Sequence, residues 1–165
     1  MAALFIRKEF IIMTKQSHYN VGIYVRLSQE DERAGESISI ENQKKMLTEY
    51  VSSQAGWNLV EICEDDGYSG TTFDRPGVQK LLADAKSGKI NLILVKDLSR
   101  FGRNYIEVGQ YIDYIFPSFN IRFIALSDNV DTLDRNSSAM DLMPVMNLFN
   151  EWHAANTSKK VRSVM

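Results

Sequence analysis

The chain has 165 residues, 44% hydrophobic and 24% charged, which is the size and make-up of one compact domain with a buried core and leaves no room for a second full domain. Its net charge of −2 and pI near 5.7 exclude a protein that holds nucleic acid by bulk positive charge, because non-specific affinity grows with the number of phosphates neutralised. The single cysteine, Cys63, excludes an intrachain disulfide and a cysteine-rich metal cluster and fits a reducing, cytoplasmic setting.

Residues 1–18 read as a flexible extension. Met1 to Met13 is mildly apolar, but Arg7, Lys8 and Glu9 interrupt it, so it is too short and too charged to span a membrane; Met13 is a candidate natural start. Residues 21–27 are rich in β-branched and aromatic side chains and predict a strand with Ser28 at its C-terminal end. Residues 29–37 are polar and predict a loop. The spacing of Ile40, Gln43, Leu47, Tyr50 and Val51 predicts a helix that Ser39 caps and Gly56 ends, followed by a strand over 58–64.

A loop rich in glycine and aspartate runs over 65–72, and Pro76-Gly77 opens a helix with Val78, Leu81, Leu82 and Ala85 on its apolar face. Residues 90–95 are apolar except for Asn91, as expected of a central strand covered on both faces. A helix over 104–116 and a strand over 121–126 complete a β-α-β-α order, which implies an α/β fold with a mostly parallel central sheet flanked by helices. Ligand chemistry in such sheets lies beyond the C-terminal strand ends.

Residues 138–165 predict one long terminal helix opened by a capping-box-like Ser138-Ala139-Met140-Asp141. Leu142, Val145, Met146, Phe149 and Trp152 form one stripe, while Met140, Met143 and Leu148 fall on other faces. Either a partner subunit covers the additional apolar surface, or the helix is sandwiched within its own domain.

Two groups of residues call for chemistry. Side chains at i, i+2 and i+4 of a strand share a face, so Tyr24, Arg26 and Ser28 line up with a guanidinium beside a hydroxyl. A charged arginine on a core-forming strand is costly unless it faces a site or pairs with a carboxylate such as Asp65 or Asp66. The second group follows the central strand: Lys96, Arg100 and Arg103. One helical turn places Arg100 beside Arg103, as two cations that repel unless an anion lies between them, or as a solvated basic turn. Arg75 follows the loop after the second strand, on the same sheet edge. Four arginines and a serine at one edge suit phosphoryl transfer, with the serine attacking and fixed cations stabilising the charge on phosphorus. No P-loop is present, and His18 and His153 have no ligand-like neighbours, so neither a metal nor another cofactor is expected.

These residues also resemble a known family. Tyr24-Val25-Arg26-Leu27-Ser28 is similar to the Y-x-R-x-S signature of serine site-specific recombinases, and Ser99-Arg100-Phe101-Gly102-Arg103 resembles their second arginine motif. Ser39-Ile40-Glu41-Asn42-Gln43 is similar to S-[IL]-x-x-Q, and Ser69-Gly70 with Asp74-Arg75-Pro76-Gly77 resembles S-G…D-R-x-G, in the same order. The wording from Val95 to Tyr105, with Asn150-Glu151-Trp152 and Thr157-Ser158-Lys159-Lys160, resembles most the large branch borne by transposons and phages.

The resemblance implies a resolvase-like catalytic core over 19–137, with residues 138–165 at a dimer or tetramer interface. It implies Ser28 as nucleophile, a 5′-phosphoserine intermediate, and DNA as partner, with a homodimer becoming a tetramer when two sites synapse. Arg26, Arg75, Arg100 and Arg103 become phosphate-binding and transition-state groups, Gln43 a supporting residue, and Tyr24 and Lys96 further phosphate contacts. Two positions depart from the family. Ser99 stands where small resolvases carry aspartate, and Ala155-Asn156 replace an expected Arg-Asp pair. Large members also continue beyond the terminal helix into DNA-binding domains, so this chain reads as an isolated catalytic domain that recombines little by itself. The base for Ser28 stays open among Asp66, Asp97 and an arginine-stabilised alkoxide. Two other functions compete: a non-catalytic oligomerisation module of a DNA-binding protein, and a small phosphohydrolase on a flavodoxin-like sheet.

Overall fold

The computed structural model describes residues 13–33 and 38–134. The expectation of a terminal helix over 138–165 lies outside the described residues. The strands are β1 (Tyr19–Leu27), β2 (Trp57–Asp66), β3 (Leu92–Val95), β4 (Arg122–Ala125) and β5 (Val130–Asp131), ordered β2-β1-β3-β4-β5 in one sheet. The first three pairings are parallel and β4–β5 is antiparallel. The mixed α/β architecture and mostly parallel sheet are those the alternating pattern predicts, and β3, buried at all four positions, is central.

Helices α1 (Gln29–Arg33), α2 (Ile40–Ser52), α3 (Pro76–Lys86), α4 (Leu98–Phe101), α5 (Tyr105–Gln110) and α6 (Phe116–Ser118) join the strands. Ser39 caps α2 through Asn42 N at 3.1 Å, and Pro76 stands in the first turn of α3, where a missing N–H costs nothing. The two faces of the sheet bury separate clusters. Val21, Ile23 and Val25 of β1 pack with Leu47 and Val51 of α2. On the other face, Tyr24 joins Val78, Leu81 and Leu82 of α3 and the aromatic group Phe101, Phe116 and Phe123. Alternation along β1 therefore sorts its residues as the strand period requires.

Four local features depart from the sequence reading. Residues 29–33 form a helical turn, because the Ser28 side chain accepts from Asp31 N at 3.3 Å and the Ser28 carbonyl from Glu32 N at 3.3 Å. The helix predicted over 104–116 widens into a π turn at Tyr111–Ile115, two residues ahead of Pro117, which has no N–H to continue an α-helical ladder. The short β5 has too few residues to show a period; Arg122 fixes it through two hydrogen bonds to Asp131, at 3.0 and 2.6 Å. In the expected extension, Met13 is buried and Gln16 N donates to the Tyr19 hydroxyl at 3.0 Å. Among the described residues no helix is long and apolar enough to cross a membrane.

Candidate active site

The C-terminal ends of β1 and β3 deliver the site. Arg26 is the eighth residue of β1 and is wholly buried. Its guanidinium spans the gap to the segment after β3: Nε donates to the Arg100 carbonyl at 3.1 Å and Nη2 to the Ser99 carbonyl at 2.6 Å. Nη1 reaches the Tyr68 carbonyl and Asp31 Oδ2, both at 3.0 Å. Every nitrogen of Arg26 is thereby engaged, three of the four acceptors being backbone carbonyls, which offsets the cost of burying the charge.

Asp31, on α1, is the centre of the cluster. Its Oδ2 accepts from the Ser28 hydroxyl at 2.7 Å, Ser28 N at 2.8 Å and Arg26 Nη1 at 3.0 Å, with Arg100 Nη1 at 3.2 Å. Its Oδ1 accepts from Arg103 Nη2. Burial by itself raises the Asp31 carboxyl; hydrogen bonds from Ser28 and Arg103, with the charges of Arg26 and Arg100, outweigh it and bring the group down to about 2. One carboxylate therefore faces three guanidiniums, and the cluster carries an excess of positive charge.

The other expected site residues lie one layer back. Arg75 Nη1 donates to the Tyr24 hydroxyl at 2.6 Å, Nη2 to the Phe101 carbonyl at 2.5 Å and Nε to the Thr72 carbonyl at 2.8 Å. The Tyr24 hydroxyl donates to Asp65 Oδ2 at 2.6 Å, and Asp65 accepts from Gly77 N and Val78 N at the start of α3. Burial, with the neighbouring Asp65, pushes the Tyr24 phenol up. Gln43 clasps the β1 backbone, donating to the Arg26 carbonyl at 3.1 Å and accepting from Arg26 N at 3.4 Å. Lys96 pairs with Asp97 at 3.0 Å.

Of the carboxylates raised by the sequence, Asp66 is exposed at the end of β2, and two are engaged elsewhere. Asp97 accepts from Ser99 Oγ at 2.6 Å and Arg100 N at 3.1 Å, fixing the first turn of α4, and Asp65 holds Tyr24. Arg26 pairs with neither Asp65 nor Asp66 but with Asp31. Sequence reasoning missed Asp31 because residues 29–37 read as a loop; an aspartate three residues after a serine, opening a helical turn, was the available signal.

Backbone shape completes the site. Gly70 O accepts from Arg103 N at 2.7 Å, and a Cβ on Gly70 would stand 2.7 Å from Arg26 Nη2 and 3.0 Å from Arg103 Cγ. No cluster of metal-ligating side chains occurs among the described residues. The arrangement offers a hydroxyl nucleophile, a carboxylate in contact with it and guanidiniums for an anionic tetrahedral or pentacoordinate group.

The family model described as "Resolvase, N terminal domain" matches residues 21–165. The N-terminal catalytic domain of TP901-1 integrase superposes with a TM-score of 0.64 at 27% identity, covering 84% of this chain and 97% of that one. A resolvase family site-specific recombinase from Streptococcus pneumoniae gives 0.60 at 26% identity, covering 88% and 94%. Uncharacterized immunity region protein 3 of Bacillus phage phi105 is 39% identical over 47% of this chain and 92% of its own length. A putative DNA recombinase of Bacillus subtilis (strain 168) is 35% identical over 53% of this chain and 16% of its own length.

Proposed function

This chain belongs to the family of the resolvase N-terminal domain, and on that premise we propose that it cleaves and rejoins DNA in site-specific recombination through a covalent bond to Ser28. The observation that carries the reading is the Ser28 hydroxyl in a buried cluster with Arg26, Arg100 and Arg103. In the proposed reaction, Ser28 Oγ attacks a DNA phosphorus, the bond to the 3′ oxygen breaks, and a 5′-phosphoseryl ester remains. The 3′ hydroxyl of an exchanged strand then attacks the same phosphorus and releases Ser28. One ester replaces another at each step, so the reaction needs no nucleotide cofactor.

Arg100 and Arg103 are assigned to the non-bridging phosphate oxygens, where paired guanidiniums stabilise the added charge of the transition state. Arg26 contacts Asp31 and also holds the Ser99–Arg100 backbone, which couples the nucleophile's strand to the arginine segment. Arg75, Tyr24 and Gln43 act as positioning residues, and Lys96 is assigned as a further phosphate contact. The partners proposed are DNA and further copies of the chain, a dimer that pairs into a tetramer across two sites, for integration or excision of a mobile element.

The test is to incubate the protein with a supercoiled plasmid carrying the DNA that flanks its gene, quench with denaturant, digest with nuclease and map adducts by mass spectrometry. A nucleotide on Ser28, absent in Ser28→Ala, is the expected result. Cleavage retained by Ser28→Ala overturns Ser28 as the nucleophile, and site-bound wild-type protein with no adduct overturns the reading in favour of an oligomerisation module.

A further inference from the structure

We propose that Asp31 is a catalytic residue of this chain: it takes the proton of the Ser28 hydroxyl once the reacting phosphate has drawn Arg100 and Arg103 away from it. This inference rests on the recombinase reading above and deepens it by naming the base.

The geometry of the resting site supplies the first half of the argument. A general base must stand within hydrogen-bond reach of the proton it removes, and the carboxylate oxygen bonded to the Ser28 hydroxyl, at 2.7 Å, is Oδ2 of Asp31. Asp97 is tied to Ser99 and Arg100 N, Asp65 to Tyr24 and the start of α3, and Asp66 is exposed at the end of β2. Ser28 N also donates to Oδ2, at 2.8 Å, so the carboxylate is fixed relative to the hydroxyl by the nucleophile's own backbone. That contact involves none of the arginines.

The second half comes from competition. Arg103 and Arg100 both reach the carboxylate, on Oδ1 and Oδ2 respectively. An incoming phosphodiester that takes these guanidiniums removes two of the influences that hold Asp31 low and leaves burial, which acts in the opposite direction, less opposed. Asp31 is thus a weak base while the site is empty and a stronger one when a phosphate fills it. The nucleophile is armed by its own substrate, and hydroxyl activation without DNA is suppressed.

The step balances without an external reagent. The Ser28 Oγ–H proton passes to Asp31 Oδ2, Oγ bonds to phosphorus, the bond from phosphorus to the 3′ oxygen breaks, and that oxygen takes a proton from solvent. In resealing, the 3′ hydroxyl gives its proton to solvent as its oxygen bonds to phosphorus, and Asp31 returns its proton to Oγ as the serine leaves.

The experiment uses a fluorophosphonate probe, whose reaction forms the Oγ–P bond and expels fluoride, read as the labelling rate of Ser28 by mass spectrometry, with inorganic phosphate binding measured alongside. Asp31→Asn is expected to label about 100-fold more slowly, the lower range for loss of a general base, while binding phosphate more tightly because the internal competitor is gone. In Arg103→Ala, which keeps the carboxylate, the labelling rate falls overall with the loss of a phosphate-binding group, and the acid limb of the rate against pH is expected to move to higher pH. Equal labelling by wild type and Asp31→Asn overturns the inference and leaves the recombinase reading standing. So does a parallel fall of labelling and phosphate binding, which marks Asp31 as a scaffold, and so does an unmoved acid limb in Arg103→Ala. Failure of the functional reading is seen separately, as absence of a Ser28–DNA adduct in the wild-type protein, and would take this inference with it.

Discussion

Gly70 lies against Arg26 so closely that a Cβ would stand 2.7 Å from Nη2 and 3.0 Å from Cζ. Arginine tips usually give way to such an intrusion, but this one is fastened to the carbonyls of Ser99, Arg100 and Tyr68. Gly70→Ala is therefore expected to destabilise the fold by about 1–3 kcal/mol, the usual cost of overpacking, and to lower Ser28–DNA adduct formation. Chemical denaturation and adduct mapping check the two effects.

The Tyr24 hydroxyl joins Arg75 to Asp65, with 2.6 Å on each side. Tyr24→Phe leaves the shape of the core and removes that link, so a buried guanidinium loses one acceptor. The expected loss is about 1–3 kcal/mol in urea unfolding, the cost of a buried polar group left unsatisfied. An unchanged midpoint and slope would show that the link contributes nothing.

Asp31 makes stability depend on acid. Its folded-state value, about 2, lies below the ordinary 3.8, so the unfolded chain takes up the proton first. Its contribution is present above about pH 4 and is lost as pH falls towards 2, amounting to about 2 kcal/mol. Unfolding free energies measured across this window should fall more steeply for wild type than for Asp31→Asn, whose stability at neutral pH is lower because three arginines lose their counter-ion.

Cys63 is buried, and burial, helped by the nearby Glu61, pushes its thiol up to about 12. Reaction with a thiol reagent at neutral pH is expected to be slow in the native protein and rapid after denaturation. Fast native-state labelling would show that the β2 edge opens.

Most of the fold was legible because β1, β3 and the helices that cover them carry strong periods: Val21, Ile23 and Val25 alternate with Tyr24 and Arg26, and Ile40, Gln43, Leu47 and Val51 recur at helical spacing. The π turn at Tyr111–Ile115 was not, since widening one turn leaves the apolar pattern unchanged. The sequence also brings Ser28 and four arginines to one sheet edge. It does not reveal that Arg75 spends its donors on Thr72, Tyr24 and Phe101, because composition alone does not separate an arginine facing an anion from one facing carbonyls. Asp31 was hidden for a related reason: five polar residues give no apolar stripe by which to see a helical turn.

The carbonyls of Ser99, Arg100 and Phe101 are grasped by Arg26 and Arg75 from other parts of the chain. The turn that presents Arg100 and Arg103 is thus anchored through its main chain and by capping from Asp97, so its placement does not depend on what its own side chains do. On the proposed reading, those side chains exchange an internal carboxylate for an external phosphate above a platform held by other parts of the chain. Preorganisation and mobility, which oppose each other in many sites, are on that reading divided between backbone and side chain of the same short segment.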